Sequence, residues 1–123
     1  MNQPAPIPTI DVTEAERRLR EDPDSPLLLD VRETNEFAEV RVAGAALVPT
    51  SSFMAHLDEL PTDRPLMVVC HMGSRSAAVA GYLIRAGRTD VVNVAGGMDA
   101  WERAGLPVRR GPITAGEGDL PTG

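Results

Sequence analysis

Three apolar runs of strand length, separated by segments with helical spacing, most constrain how this chain can fold. They are LLLDV at residues 27–31, LMVVC at 66–70 and VVNV at 91–94. A strand that is apolar on both faces is typical of a parallel sheet covered by helices on both sides. Shorter segments at residues 9–12 and 45–48 supply two more candidate strands. The alternation of strands and helices predicts an α/β domain with a mostly parallel sheet.

Capping residues and apolar spacing predict the helices between these strands. Thr13 and Glu16 have the spacing of a capping box, which places the first helix over residues 14–21. Either Ser51 or Ser52 is positioned to cap the third helix, and Gly87 stands where the fourth helix would end. The remaining helices are predicted over residues 32–40, 51–60, 76–86 and 98–104.

The chain of 123 residues has the length of one domain, and we see no internal repeat in it. We expect the folded domain to span residues 9–108. Residues 1–8 are rich in proline and are expected to be flexible. The segment RRGPITAGEGDLPTG at residues 109–123 carries few apolar side chains, so we expect a second flexible segment there.

The charge composition disfavours several classes of function. Acidic side chains number 18 and basic ones 12, which gives a net charge of −6, and every basic residue is arginine. Nucleic-acid binding depends on clustered positive charge, so we do not expect it. Schiff-base chemistry requires a lysine, and the sequence has none.

Sequence features also bear on the compartment. The N-terminus lacks the basic and apolar regions of a secretory signal, and no apolar run approaches the roughly 20 residues of a membrane span. The single cysteine cannot form an internal disulfide, so folding does not require an oxidising compartment. We therefore expect a cytoplasmic protein that does not bind membranes.

The single cysteine, Cys70, ends one buried run and begins the loop that leads into the fourth helix. Ligands of open parallel sheets bind at the carboxyl ends of the strands, which is where this thiol is expected to lie. Loop amides and the free amides of the first helical turn can converge on its sulfur, which favours the thiolate and lowers the thiol pKa. A lone buried cysteine is more commonly an inert apolar residue. Its combination with the loop and helix favours a reactive thiol.

The residues that follow Cys70 have properties suited to holding an anion. Gly73 permits backbone angles that are closed to other residues. Ser74 and Ser76 add hydroxyl donors, and Arg75 adds a positive guanidinium. A cation near a helix N-terminus is disfavoured by the helix dipole, which itself suggests a nearby anion.

The two histidines, His56 and His71, do not suggest a metal site. His71 adjoins Cys70, but neighbours on a curling loop point apart, so we expect it at the rim of the pocket rather than as a general base. His56 lies in the predicted third helix, and we expect it at the surface or in packing. Zinc needs three or four convergent ligands, so we expect no metal ion and no cofactor.

Four segments, in this order, resemble the rhodanese-like, or thiosulfate sulfurtransferase, domain family: LLLDVRETNEF, AGAALVP, VVCHMGSRSAAVAGYLIRAG and VVNVAGGMDAWERAGLPV. The resemblance covers residues 10–108 and implies a doubly wound α/β fold, with a mainly parallel five-stranded sheet and helices on both faces. It also implies that Cys70 accepts a sulfane sulfur as a persulfide. The positions implied to cradle the terminal sulfur and an anionic donor are His71, Met72, Gly73, Ser74 and Arg75.

Asp30 and Arg32 match the family's Asp-x-Arg at the end of the second strand. The resemblance implies that they organise the loop by hydrogen bonds, together with Ser76. An ordinary ion pair at the strand end explains them equally well. Gly96, Gly97 and Trp101 also resemble a segment of the family. The resemblance implies that this segment turns the chain and packs the last helix.

Loop length separates this family from the phosphatases and arsenate reductases of similar fold. Four residues lie between Cys70 and Arg75, as in the sulfurtransferase loop, whereas the phosphatase loop is longer by one residue. Phosphatase activity is therefore disfavoured. The chain departs from the family pattern at His71, which follows the cysteine, and at Val40 and Arg41, which replace a Gly-His pair. We expect the first change to affect donor preference and the second to affect the pocket edge.

The resemblance implies an enzyme that moves sulfur from thiosulfate or a persulfide to cyanide, a thiol or a protein through a Cys70 persulfide. The implied partners are a small anionic sulfur donor and a thiol or protein acceptor, and we expect a monomer or a weak homodimer. The alternative is a rhodanese-like protein-binding or regulatory module, or a sulfur-relay partner without significant turnover. Such modules usually lack the cysteine, which favours the enzyme.

Overall fold

The computed structural model describes residues 6–121, and the strands in this range form one sheet. The strands are β1 (Thr9–Ile10), β2 (Leu27–Asp30), β3 (Ala46–Leu47), β4 (Leu66–Val69) and β5 (Val91–Val94). They lie in the order β1-β5-β4-β2-β3, and every neighbouring pair is parallel. The predicted five-stranded parallel α/β sheet is confirmed.

The helices follow the strands in the predicted alternation. They are α1 (Val12–Glu21), α2 (Thr34–Glu39), a 3-10 helix (Thr50–Glu59), α3 (Ser74–Arg85) and α4 (Gly97–Arg103). No helix among residues 6–121 is both long enough and apolar enough to span a membrane.

Alternate residues of the central strands pack into two separate cores, one on each face of the sheet. Leu29 and Val68 join the core that also contains Leu83 of α3. Leu28 and Met67 join the other core, whose helical members come from the remaining α-helices: Val12, Ala15, Phe37, Met98 and Trp101. A strand residue points to the face opposite its neighbour, so a continuous apolar run fills both cores. The doubly wound arrangement is confirmed.

The predicted cap of the first helix was wrong. Asp11, rather than Thr13, is the N-cap, and its Oδ1 atom accepts a hydrogen bond from the Glu14 amide at 2.8 Å. Thr13 lies inside α1, which begins at Val12. An aspartate caps a helix as well as a threonine does, so the sequence contained two candidates separated by one residue. The earlier start shortens β1 to two residues.

The predicted caps of the third helix were also wrong. This helix is a 3-10 helix that begins at Thr50, and Ser51 and Ser52 both lie within it. The Ser51 hydroxyl donates to Glu33 Oε1 at 2.7 Å. This hydrogen bond joins the 3-10 helix to the start of α2, so the Ser51 side chain does not cap the 3-10 helix.

The expected flexible ends pack against the domain where the structure describes them. Ile7 contacts one core, and the Asn93 amide donates to the Pro8 carbonyl at 2.8 Å. At the other end, Leu120 packs against the same core, and the Leu47 amide donates to the Gly118 carbonyl at 2.7 Å. These contacts join both described ends to the sheet and its core. Residues 1–5 and 122–123 lie outside the described range.

Arg41 explains why the C-terminal segment, residues 109–121, is held. Its side chain is 1% exposed and forms an ion pair with the Glu117 carboxylate. It also donates to the Gly111 carbonyl at 2.8 Å and to the Pro112 carbonyl at 3.2 Å. Arg41 further pairs with Arg109 through backbone hydrogen bonds. Arg41, one of the two residues that depart from the family pattern, therefore anchors this segment.

Candidate active site

The fold places Cys70 directly after β4, at the carboxyl edge of the sheet. The thiol residue is 1% exposed and belongs to the core that contains Val68. Gly73 ends the loop as the N-cap of α3, with a φ of 109° that side chains disfavour. Helix α3 begins at Ser74, two residues earlier than predicted, because the glycine at positive φ makes the turn into the helix. The loop between strand and helix is therefore short.

Hydrogen-bond donors surround the sulfur of Cys70. The Gly73 amide donates to Sγ at 3.1 Å, and the Ser76 hydroxyl lies 3.3 Å from it. Burial raises the pKa of the Cys70 thiol, while the Ser76 hydroxyl and amide lower it. The amides of Gly73 and Arg75 lower the pKa further, so the net shift is downward from the ordinary value. This loop therefore favours a thiolate, the nucleophilic form of cysteine.

A buried polar pair supports the Ser76 hydroxyl. Ser76 donates to the Oδ1 atom of Asn93 at 2.6 Å, and Asn93 comes from the neighbouring strand β5. A hydroxyl has one proton, so this bond competes with donation to the sulfur. If the Asn93 amide turned over, its Nδ2 would donate to Ser76 and the Ser76 proton would face the thiolate. The orientation of the Asn93 amide therefore decides whether the Ser76 proton faces Sγ.

The start of α4 supports the loop from behind. The amide of Met98 donates to the Cys70 carbonyl at 2.8 Å, and the amide of Asp99 donates to the His71 carbonyl at 3.0 Å. This contact requires Gly97, because a Cβ atom there would lie 2.3 Å from the Cys70 carbonyl oxygen. The Gly-Gly pair therefore turns the chain, as expected, and also lets α4 approach the cysteine loop.

Arg75 follows the loop, but its guanidinium is held by a carboxylate of α2. Nη1 and Nη2 donate to the two carboxylate oxygens of Glu36 at 2.7 and 2.9 Å. This hydrogen bonding lowers the pKa of Glu36 to about 2, against the raising effect of burial. The sequence analysis predicted that Arg75 binds an anionic sulfur donor. In the structure its two terminal nitrogens are already hydrogen-bonded to Glu36.

Asp30 and Arg32 form a buried ion pair behind the loop. Both side chains are 1% exposed, and Arg32 donates to both Asp30 oxygens. Arg32 also donates to the Val40 carbonyl at 2.6 Å and to the Glu36 carbonyl at 3.2 Å. Its donors are engaged within the fold, which favours the structural interpretation of this pair. The pair fixes α2, the helix that carries Glu36, against the end of β2.

Other predicted residues lie on the outside of the site. His71 and Met72 on the loop and Ser74 at the start of α3 are exposed, so a rim position for His71 agrees with its exposure. His56 is at the surface, where its Nδ1 lies 2.8 Å from Glu59 Oε2, and this expectation is confirmed. Within residues 6–121, no three side chains of the metal-binding types come together.

The sequence of the chain matches the model of the rhodanese-like domain over residues 11–104, which is more than half of its length. The chain belongs to the rhodanese-like domain family.

Two curated relatives of this rhodanese-like domain carry sulfurtransferase names. The protein named "Sulfurtransferase" from Allochromatium vinosum is 34% identical over 87 residues, which cover 71% of this chain and 81% of that protein. Thiosulfate sulfurtransferase GlpE from Actinobacillus succinogenes is 35% identical over 85 residues, which cover 69% and 77% of the two chains. Both matches extend over most of each protein.

A solved structure shows the same fold. The rhodanese-related protein from Thermoplasma volcanium aligns with a TM-score of 0.72 and 30% sequence identity. The alignment covers 83% of this rhodanese-like domain and 97% of that chain. The five-stranded fold is therefore that of the family.

Two residues of the candidate site, Glu36 and Asn93, did not emerge from the sequence. Asn93 is a polar residue inside an otherwise apolar strand, and this was the available signal. Glu36 forms a capping box with Glu33 at the start of α2, so its spacing suggested only a helix start. Its contact with Arg75, 39 residues away, is a product of tertiary structure.

Proposed function

We propose that this rhodanese-like domain is a sulfurtransferase in which Cys70 carries the transferred sulfur as a persulfide. The observation that carries the proposal is the environment of Sγ, where the Gly73 amide and the Ser76 hydroxyl lie at 3.1 and 3.3 Å. These donors lower the pKa of the Cys70 thiol and so favour the thiolate. The names of the curated relatives support the same reaction class.

In the first step, the Cys70 thiolate attacks the outer sulfur of thiosulfate. A new S–S bond forms, the S–S bond of the donor breaks, and sulfite leaves with the electron pair. The three negative charges of the reactants are conserved in the persulfide anion and sulfite. The terminal sulfur lies one S–S bond, about 2 Å, beyond Sγ. A loop of amides that favours a thiolate also suits this second anionic sulfur.

In the second step, a nucleophilic acceptor attacks the terminal sulfur. With cyanide, a carbon–sulfur bond forms, the Cys70 S–S bond breaks, and thiocyanate leaves while the thiolate is restored. No proton transfer is required in either step, which agrees with the exposed position of His71 outside the immediate contacts of Sγ. Among the loop residues, Gly73 and Arg75 contribute amides, and Met72 and Ser74 form part of the exposed rim.

Intact-mass measurement tests the proposal directly. The protein is incubated with thiosulfate, and a one-sulfur adduct is expected that cyanide removes with formation of thiocyanate. Because Cys70 is the only cysteine, the adduct has one possible thiol. Cys70→Ala should show no adduct, and Ser74→Ala, a change at an exposed residue at the start of α3, should retain it. Absence of an adduct with both thiosulfate and glutathione persulfide would contradict the proposal and favour a binding module.

A further inference from the structure

The guanidinium of Arg75 is engaged by one carboxylate at the edge of the candidate site. Two parallel hydrogen bonds join it to Glu36, with lengths of 2.7 and 2.9 Å. This is the geometry in which arginine recognises a bidentate anion. An anionic sulfur donor must therefore compete with Glu36 for Arg75.

Glu36 is held in place to make this contact. Its Oε1 atom also accepts a hydrogen bond from the Glu33 amide at 3.0 Å, which completes the capping box of α2. The Arg32 guanidinium donates to the Glu36 carbonyl from the buried side. The side chains of Arg75 and Glu36 remain 35% and 28% exposed, so a small ion in solvent can reach the pair.

The arginines and carboxylates around the pair balance one another in charge. Glu36, Cys70 and Asp30 all raise the pKa of Arg75, Glu36 most strongly. Arg32 joins Arg75 in lowering the pKa of Glu36. The two arginines and two carboxylates sum to zero and the Cys70 thiolate adds one negative charge, so the loop amides supply the attraction for a sulfur anion. The whole chain carries a net charge of −6, which adds a repulsive background.

We propose that Glu36 is a specificity-determining residue that neutralises Arg75 and makes the site favour sulfur donors of low charge over dianionic thiosulfate. The inference rests on the proposed function. A monoanionic thiosulfonate supplies the same outer sulfur as thiosulfate. Its sulfinate leaves with the electron pair of the S–S bond, and the two negative charges of thiolate and donor are conserved in the products.

The test compares thiosulfate with methanethiosulfonate as donors to cyanide, in the wild type and in Glu36→Gln. Glutamine keeps an oxygen to accept from the Glu33 amide, so the capping box is retained. The expected result is a KM for thiosulfate about fivefold lower and a KM for methanethiosulfonate about twofold lower, because the freed charge acts on two charges rather than one. The kcat values are expected to change little. Glu39→Gln, an exposed glutamate at the end of the same helix, controls for net charge.

A second variant keeps the inference falsifiable if the first folds poorly. Arg75→Gln leaves Glu36 unpaired and should raise the KM for thiosulfate more than that for methanethiosulfonate. The double variant, Glu36→Gln with Arg75→Gln, should return the ratio of the KM for thiosulfate to the KM for methanethiosulfonate toward that of the wild type. An unchanged ratio in both single variants, or an equal change in Glu39→Gln, would overturn the inference.

The measurement separates this inference from the proposed function. If the wild type forms no one-sulfur adduct on Cys70 with either donor, the proposed function fails, and the inference fails with it. If the adduct forms and the KM ratio does not respond to Glu36→Gln and Arg75→Gln, only the inference about Glu36 fails.

Discussion

The Ser76 hydroxyl lies 3.3 Å from the Sγ atom of Cys70, although the cysteine loop and the start of α3 separate the two residues in the chain. Among the groups that lower the pKa of the Cys70 thiol against the effect of burial, this hydroxyl is the strongest. A side chain in the first turn of α3 therefore stabilises the thiolate form of Cys70.

Ser76→Ala should raise the pKa of Cys70, because the thiolate loses its side-chain donor. The ultraviolet absorbance of the thiolate, followed against pH, measures this shift on the single cysteine of the chain. At a pH below the wild-type pKa, the rate of adduct formation with thiosulfate should fall about three- to tenfold, as for the loss of one hydrogen bond. Ser74→Ala is the control, and an equal shift in that variant would contradict the assignment to the Ser76 hydroxyl.

Gly97→Ala should destabilise the fold and displace the cysteine loop. The added Cβ would lie 2.3 Å from the Cys70 carbonyl oxygen. Because this oxygen belongs to the backbone, relieving the clash requires the loop or α4 to move. We expect about 1–3 kcal/mol of lost stability from overpacking, plus about 1 kcal/mol from the positive φ. Gly105→Ala separates the two effects, since Gly105 has a φ of 70° with no atom within 4 Å of a Cβ. Urea unfolding that showed equal losses in both variants would contradict the close approach of α4.

Arg32→Gln should be among the most destabilising single changes. It would leave the carboxylate of Asp30 buried at 1% exposure without its partner, which costs about 3–5 kcal/mol. Urea unfolding measures the loss, and Arg20→Gln on the exposed side of α1 serves as a matched control with a small effect. If the double variant Asp30→Leu with Arg32→Met were no more stable than Arg32→Gln, the loss could not be attributed to an unpaired charge.

Glu117 should make the stability of the C-terminal segment depend on pH. Hydrogen bonds from Arg41, and then from the Thr114 amide, lower the pKa of Glu117 from its usual 4.5 to about 2. A lowered carboxyl pKa adds stability that is present above about 4.5 and is lost as the pH falls toward 2.

The measurement is the difference in unfolding free energy between the wild type and Glu117→Gln at a series of pH values. The wild type should be more stable at pH values near neutrality, and the difference should shrink as the pH falls between about 4.5 and 2. Glu39→Gln removes a carboxylate from the surface and controls for the change in net charge. A difference that stayed constant across this range would show that the Arg41 contact does not hold the carboxylate ionised.

Much of the fold could be predicted because its determinants are local in sequence. The run Leu66–Val69 is apolar at every position, which suits a strand buried on both faces, and the structure places it at the centre of the sheet. Gly87 was expected just past a helix, and it has a φ of 108° after α3. The position of Cys70 could be predicted for the same reason. It follows a buried parallel strand, and ligands bind at the carboxyl ends of such strands.

Helix boundaries were harder to predict, because nearby residues offered equivalent caps. Asp11 and Thr13 can both accept from an amide two or three residues ahead, and the structure has Asp11 as the cap of α1. The C-terminal segment was expected to be flexible on composition alone. Its contact with the domain is made by Arg41 and Glu117, which are 76 residues apart and whose pairing no local pattern encodes.

The sequence by itself determined the alternation of buried strands and helices, the family, and the place of a single thiol at the end of a central strand. Those properties depend on apolar periodicity and on glycine positions, which are legible within short segments. The tertiary structure alone decided which charged and polar groups meet. It brought Glu36 to Arg75 and Asn93 to Ser76, because residues far apart in the chain become neighbours only when β2, β4 and β5 align in one sheet.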